Sequence, residues 1–200
     1  MFYEMRYDMD NIDELHSLGR QYIYAEKNNF EELRKQFDSD FRYLLVKQNL
    51  SITWPNVEFY YSSMASDLES DYLLNASRWP IVHKRVKDVL EKERIQGISF
   101  FPIILIDVET NKRNQNYFAM YVTNFIDAYD MNKSKYKYFM KHNAYVFLPK
   151  QTYLKREFCE KYDIFRCLKN VSCIYVSEHF YSIIVANKFS GFTFNVMPDC

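Results

Sequence analysis

The sequence predicts an α+β fold: a mainly antiparallel sheet with packed helices, containing two similar helix-glycine-strand units. The first observation behind this is a phrase written twice. Residues 80–103 and 174–197 overlay without a gap, at one constant offset, setting Val86 on Phe180, Val89 on Ile183, Leu90 on Ile184, Gly97 on Gly191 and Phe100 on Phe194. Each copy holds apolar residues at helical spacing, then a chain-reversing glycine, then a short apolar strand. The second observation is that strand-like runs outnumber helical ones and flank polar turns, as hairpins do. The third is 48% hydrophobic content in 200 residues with only 3 Gly and 5 Pro, enough for a sizeable core and little for linkers. Residues 1–200 are therefore expected to form a single domain.

In chain order, Phe2 to Tyr7 is rich in strand formers and reads as an N-terminal strand. Residues 28–38 space Phe30, Leu33 and Phe37 at steps of three and four, with Asn29 placed as an N-cap before Glu31 and Glu32, which predicts an amphipathic helix. Phe41 to Leu45 is apolar and is expected to continue into structure. Val57, Phe59 and Tyr61 alternate with Glu58 and Tyr60, as on a strand. Asp67 to Trp79 has no strong period. Because proline biases the residue before it away from helix, Trp79-Pro80 sets the start of the first repeated helix after Pro80. Val86, Val89 and Leu90 form one face of that helix, and Lys84, Lys87, Glu91 and Lys92 lie elsewhere on it. Ile98 to Ile106 is the most apolar run, expected to be a strand buried on both faces for part of its length, with Pro102 marking an edge or a bulge. The polar stretch Glu109 to Asn116 reads as a hairpin tip leading to a second strand, Tyr117 to Ile126. Tyr145 to Leu148 suits another strand, ended by Pro149, and residues 151–161 suit a short helix. Ser177 is a good N-cap for the second repeated helix, with Glu178 in its first turn favourable to the helix dipole.

Charge and cysteine usage narrow the function classes. Lys plus Arg and Asp plus Glu both number 26, so there is no whole-chain attraction to nucleic acid or anionic lipid. Neither is expected as a partner. Cys159, Cys167, Cys173 and Cys200 match neither a zinc site nor a redox dithiol, and read as thiols in a reducing cytoplasm. The N-terminus lacks an uninterrupted apolar segment, and no stretch approaches the ~18 apolar residues of a membrane span. A cytoplasmic location follows as the expectation.

No catalytic, cofactor-binding or metal-binding residues emerge. His16, His83, His142 and His179 are scattered outside any metal-ligand spacing, and His16 among Asp8, Asp10, Asp13 and Glu14 reads as an acidic solvated segment. Three glycines cannot build a phosphate-cradling loop, and no serine sits in a nucleophile elbow. A cysteine nucleophile with a remote histidine is the enzymatic alternative. The interleaving of Lys133, Lys135, Lys137 and Lys141 with Tyr136, Tyr138 and Phe139 reads first as a solvated loop or helix face. A protein-binding surface comes second, because tyrosine joins a rigid apolar body to a polar tip. A single-stranded nucleic-acid module is a further alternative.

Four stretches carry a family resemblance. They are Asp71-Tyr72-Leu73 leading to Pro80-Ile81-Val82; Gly97-Ile98-Ser99-Phe100-Phe101-Pro102; Tyr117 to Asp130 followed by Ser134; and Asp163-Ile164-Phe165-Arg166 leading to Val176-Ser177-Glu178 and Gly191-Phe192-Thr193-Phe194. In order and spacing these resemble immunity family eleven, immunity proteins of bacterial polymorphic-toxin systems. The likeness spans residues 71–197, and residues 1–70 match only loosely. One departure is His83, where the family's phrase and this chain's own Ser177 prefer serine. The resemblance implies a non-enzymatic cytoplasmic protein that binds and neutralises a cognate toxin domain. It supplies no catalytic residues and leaves the oligomeric state open. The contact surface is expected at Lys133, Lys135, Tyr136 and Tyr138, or at the 109–116 loop tip.

Overall fold

The structure, a computed structural model, describes residues 1–9, 22–65, 69–148 and 150–198. The expected acidic segment around His16, and Cys200, lie outside the described residues. The first part of the chain supplies β1 (Phe2–Tyr7), β2 (Tyr24–Ala25), β3 (Lys27–Asn28), α1 (Phe30–Phe37), a 3₁₀ helix (Phe41–Val46), β4 (Glu58–Tyr61) and β5 (Tyr72–Asn75). Then come β6 (Ile81–His83), α2 (Lys84–Lys92), β7 (Ile98–Asp107), β8 (Arg113–Val122), β9 (Phe125–Ile126), β10 (Tyr136–Phe139) and β11 (Ala144–Phe147). The rest is α3 (Arg156–Cys159), β12 (Ile164–Cys167), β13 (Asn170–Ser177), α4 (Glu178–Ala186) and β14 (Phe192–Val196). Among the described residues no helix is long and apolar enough to cross a membrane.

The strands form a seven-stranded sheet in the order β2-β5-β6-β8-β7-β4-β3, a five-stranded sheet in the order β14-β1-β13-β12-β9, and a separate β10-β11 hairpin. Most neighbours are antiparallel, and β2-β5, β4-β7 and β9-β12 are the parallel pairs. The mixed α/β architecture with mainly antiparallel sheets agrees with expectation.

Three apolar cores set the layers. Phe30 and Leu33 of α1 join Phe41, Leu44, Leu45 and Trp79 against Phe59, Leu73, Ile81, Leu105 and Ala119 of the larger sheet. On the opposite face of that sheet Tyr72, Val82, Met120 and Val122 meet Val86 and Leu90 of α2. The same cluster takes in Phe180, Ile183 and Ile184 of α4 and Tyr3, Met5, Ile174 and Val176 of the smaller sheet. Both helices of the doubled phrase thus pack into one layer shared by the two sheets. Each fully buried aliphatic side chain there contributes roughly 1.5–3 kcal/mol. A third cluster, around Tyr129, Leu154, Phe165, Cys167 and Tyr175, covers the outer face of the smaller sheet.

The two helices begin and end alike. Ser177 accepts a hydrogen bond from the Phe180 amide at 3.2 Å, and His83 caps α2 through Nδ1, accepting from the Arg85 amide at 3.3 Å. An imidazole acceptor thus does the serine's work. At the C-terminal ends Arg94 and Lys188 adopt φ of 57° and 52°, and the Ile95 and Phe189 amides bond back to Leu90 and Ile184. Gly97 and Gly191 follow with φ of 84° and 81°.

Several boundaries move from their expected places. Asn29 does not cap α1 with its side chain; it bonds the Asn56 carbonyl and the Glu58 amide, stitching the helix start to β4, while Asn28 Oδ1 accepts from the Phe30 amide. β5 arises inside the stretch without period, because three of its four residues are buried and leave no alternation to read. The expected strand Tyr117 to Ile126 is two strands, since the chain leaves the larger sheet at Thr123 and β9 joins the smaller one. Pro102 lies where β7 has β8 on one side only, with β4 beginning opposite Ile104, and an irregularity follows at Ile103–Leu105.

Only 108–112 link β7 and β8, residues 113–116 already belonging to β8, with Arg113 and Asn114 paired to Ile106 and Leu105. Asp107 organises this turn, accepting from the Thr110 hydroxyl and the Ser63 and Glu109 amides. The Thr110 bond leads in holding its carboxyl down to about 2. A depressed folded-state pKa stabilises the fold above the unfolded value of about 4, and that contribution is lost as pH falls through about 2. Urea midpoints of wild type and Asp107→Asn are expected to differ at neutral pH and to converge in acid; a constant gap would reject this assignment.

Candidate functional site

The expected contact residues sit on and beside the β10-β11 hairpin. Its register sets Tyr136 opposite Phe147 and Tyr138 opposite Tyr145, so these four rings share one face. The rings form a ladder, with centroids 5.5 Å apart for Tyr136–Tyr145, 4.8 Å for Tyr138–Tyr145 and 5.6 Å for Tyr136–Phe147. The other face carries Lys137, Phe139, Ala144 and Val146. All four residues of β10 are exposed, and Phe139, Met140 and Val146 add apolar surface beyond the tyrosines. Single exposed apolar residues are ordinary; a contiguous group on one ribbon marks a surface suited to a partner.

The ribbon is exposed but firmly held at its base. Phe147 stacks on buried Tyr129 at 3.8 Å, and the Tyr129 and Tyr175 hydroxyls are 2.8 Å apart, tying the hairpin to the smaller sheet. Burial pushes both phenols well above the usual tyrosine range, so this pair stays neutral. Ser134 is buried beneath the hairpin, its hydroxyl donating to the Tyr153 carbonyl and accepting from the Tyr153 amide. At the tip the Tyr138 hydroxyl donates to Asn143 Oδ1 at 2.8 Å, and Asn143 turns the chain with φ of 47°. Such anchoring lowers the ordering cost of binding through these rings.

The four expected residues do not lie on one face. Tyr136 and Tyr138 do, whereas Lys133 belongs to the preceding turn, where Asp130 accepts from its amide and lies 4.0 Å from its ammonium. Lys135 is exposed at the hairpin base, its backbone bonded to Gln151 and Leu148. Within the Lys133–Lys141 segment Tyr136–Phe139 is strand, whereas Lys133 lies in a turn and Lys141 in a short 3₁₀ helix, so the solvated loop or helix face read first from the sequence holds for its ends and not for its middle. The same ring face takes in Tyr145 and Phe147, which the sequence reading did not name among the expected contact residues. Alternation in YKYF and AYVF on either side of a short polar turn was the available signal.

The cysteines show a different character. Cys159 and Cys167 are buried and Cys173 is partly buried. Burial raises the Cys167 thiol far above its usual range and the Cys173 thiol to about 12. A nucleophilic cysteine needs the opposite shift. A family model described as an immunity protein family (Imm11) matches residues 3–199, extending the motif likeness across the first seventy residues. No curated protein matches the chain.

Proposed function

Since the chain belongs to the Imm11 immunity protein family, we propose that it neutralises a cognate toxin domain of a bacterial polymorphic-toxin system. Family membership is the observation that carries this reading. The protein acts in the cytoplasm, as one domain formed by residues 1–200, by binding alone and without chemistry of its own. The two sheets share a core, which favours a single cooperative unit, and the protonated thiols fit a non-enzymatic role.

The toxin docks on the hairpin, with Tyr136 and Tyr138 as aromatic anchors and Lys133 and Lys135 at the edge of the contact. Rigid aromatic groups on a held ribbon are the kind of residue that dominates interface energetics, whereas exposed lysines chiefly affect association rate. Co-expression with the toxin domain encoded beside it should protect cells and yield a stable complex. Absence of both would reject the function. Changing Tyr136 and Tyr138 together to Ala should weaken the complex on the order of 30-fold or more, measured by titration calorimetry, with the fold intact. Protection at unchanged affinity in that variant would reject the hairpin while leaving the function standing.

A further inference from the structure

Arg166 is buried in β12, with 1% of its surface exposed. Its backbone amide joins the sheet by donating to the Asn124 carbonyl at 2.8 Å. Nη1 donates to the carbonyl oxygens of Val171 and Ser172, but Nε has no hydrogen-bond partner among the described residues. Nor does Arg166 enter any ion pair found among them. Among the described residues, the polar groups named around it carry no compensating charge: burial raises the Tyr7 phenol, and takes the Tyr72 phenol and the Cys173 thiol to about 12. Arg166 itself is lowered by burial to about 10 and remains a cation at neutral pH. A buried charge without a counter-charge is destabilising by several kcal/mol.

Arg166 also forms part of the wall of a cleft of about 740 Å³ between the two sheets. The cleft takes Arg6, Tyr7 and Cys173 from one sheet side and Tyr72, Asn75 and Arg78 from the other. Among the described residues Glu4 is its one acidic wall residue, and Glu4 already pairs with Arg6 at 2.8 Å. The described wall residues therefore hold an excess of positive charge beside stacked rings, Tyr7 on Tyr72 at 4.4 Å. Purely structural duty would engage the carbonyls of Val171 and Ser172 and leave the charge uncompensated among the described residues.

We infer that this cleft is a binding site for a small organic carboxylate, which the exposed Arg78 holds at the rim and whose charge balances the buried Arg166 behind the wall. A guanidinium matches the two oxygens of a carboxylate. Aromatic walls and a volume in the range of ligand pockets suit an organic body more than a bare ion. The site is independent of toxin binding, so either reading can fail without the other.

The test titrates the full chain with citrate, succinate and 4-hydroxybenzoate, using inorganic phosphate and sodium chloride at matched ionic strength as comparisons. Thermal midpoint and the Arg166 Nε–H resonance are read together. At least one carboxylate is expected to raise the midpoint by about 4 °C or more at saturating concentration and to shift that resonance. Arg166→Met should lose the response without a lower midpoint in the absence of ligand, because it removes an uncompensated charge. Should that variant fail to fold, Arg78→Gln should weaken the response roughly threefold. No carboxylate effect beyond sodium chloride, a response only to phosphate, an unmoved Arg166 resonance, or an unchanged response in both variants would overturn the inference.

Discussion

Gly191→Ala is expected to cost about 3–5 kcal/mol, a large part of the 5–15 kcal/mol that holds a typical domain folded. Gly191 has φ of 81°, and a Cβ built there would lie 2.1 Å from Ser70 Oγ and 2.5 Å from the Tyr72 carbonyl oxygen. The left-handed conformation alone costs an alanine roughly 1–2 kcal/mol. Overlap with a main-chain oxygen adds to this, because backbone in a strand cannot swing aside as a side-chain tip can. The neighbouring bonds leave little slack: the Asp8 amide donates to the Gly191 carbonyl at 2.9 Å, and the Tyr72 amide to that of Ser190 at 3.1 Å.

Gly97→Ala is the internal comparison. There the nearest atom is Asn124 Nδ2, a side-chain end that can rotate at the expense of its bond to the Ile164 carbonyl. The glycine variants should therefore rank with Gly191 the worse, as read from urea midpoints at constant slope. If the chain is one domain, wild type should unfold in a single transition by near-ultraviolet and far-ultraviolet probes alike. Equal costs for the two glycines would contradict the backbone argument.

Asp71→Ala is expected to cost about 2–4 kcal/mol. Asp71 is buried at the start of β5 and receives both arms of the Arg85 fork. It also accepts from the Ser190 amide at 2.8 Å and the Ser190 hydroxyl at 3.0 Å. One carboxylate thus joins the larger sheet, the first repeated helix and the turn leading to β14. Burial works against its charge, and Arg85 with Ser190 overcomes this, leaving the carboxyl below its ordinary range. The sign follows: its contribution is complete above the unfolded pKa of about 4 and declines as pH falls through the lower folded value. Arg85 is over half exposed and is left in water, so the loss comes chiefly from the Ser190 amide and the buried gap. Asp71→Asn should fall between wild type and Ala. A loss below about 1 kcal/mol for Asp71→Ala would show that this cluster does not hold the sheets together.

Features set by near neighbours in the chain were legible. The apolar face of α2 follows from Val86, Val89 and Leu90, its end from the helical spacing running into Gly97, and the second helix's cap from Ser177. The ordered motifs also pointed to the family. Asn29 misled, because an asparagine before a helix has the same local look whether its side chain caps that helix or bonds a strand. β5 misled for another reason: a strand covered on both faces has no alternation. Lys133 and Lys135 were grouped with Tyr136 and Tyr138 by adjacency, whereas pairing across the hairpin chose Tyr145 and Phe147 as the tyrosines' companions.

By itself, then, the sequence determined the helices of the doubled phrase, the Ser177 cap of the second, the turning glycines and the family, since each depends on periodicity or on contacts a few residues apart. Only the tertiary structure decided that the strand after Gly97 enters the larger sheet and the strand after Gly191 the smaller, that Asp71 finds Ser190 across 119 residues, and that Arg166 lines a cleft with no acidic partner among the described residues. Those outcomes depend on which distant segments meet. Hydrophobic burial is non-directional, so an apolar pattern specifies that a face is covered, while the packed arrangement specifies by what.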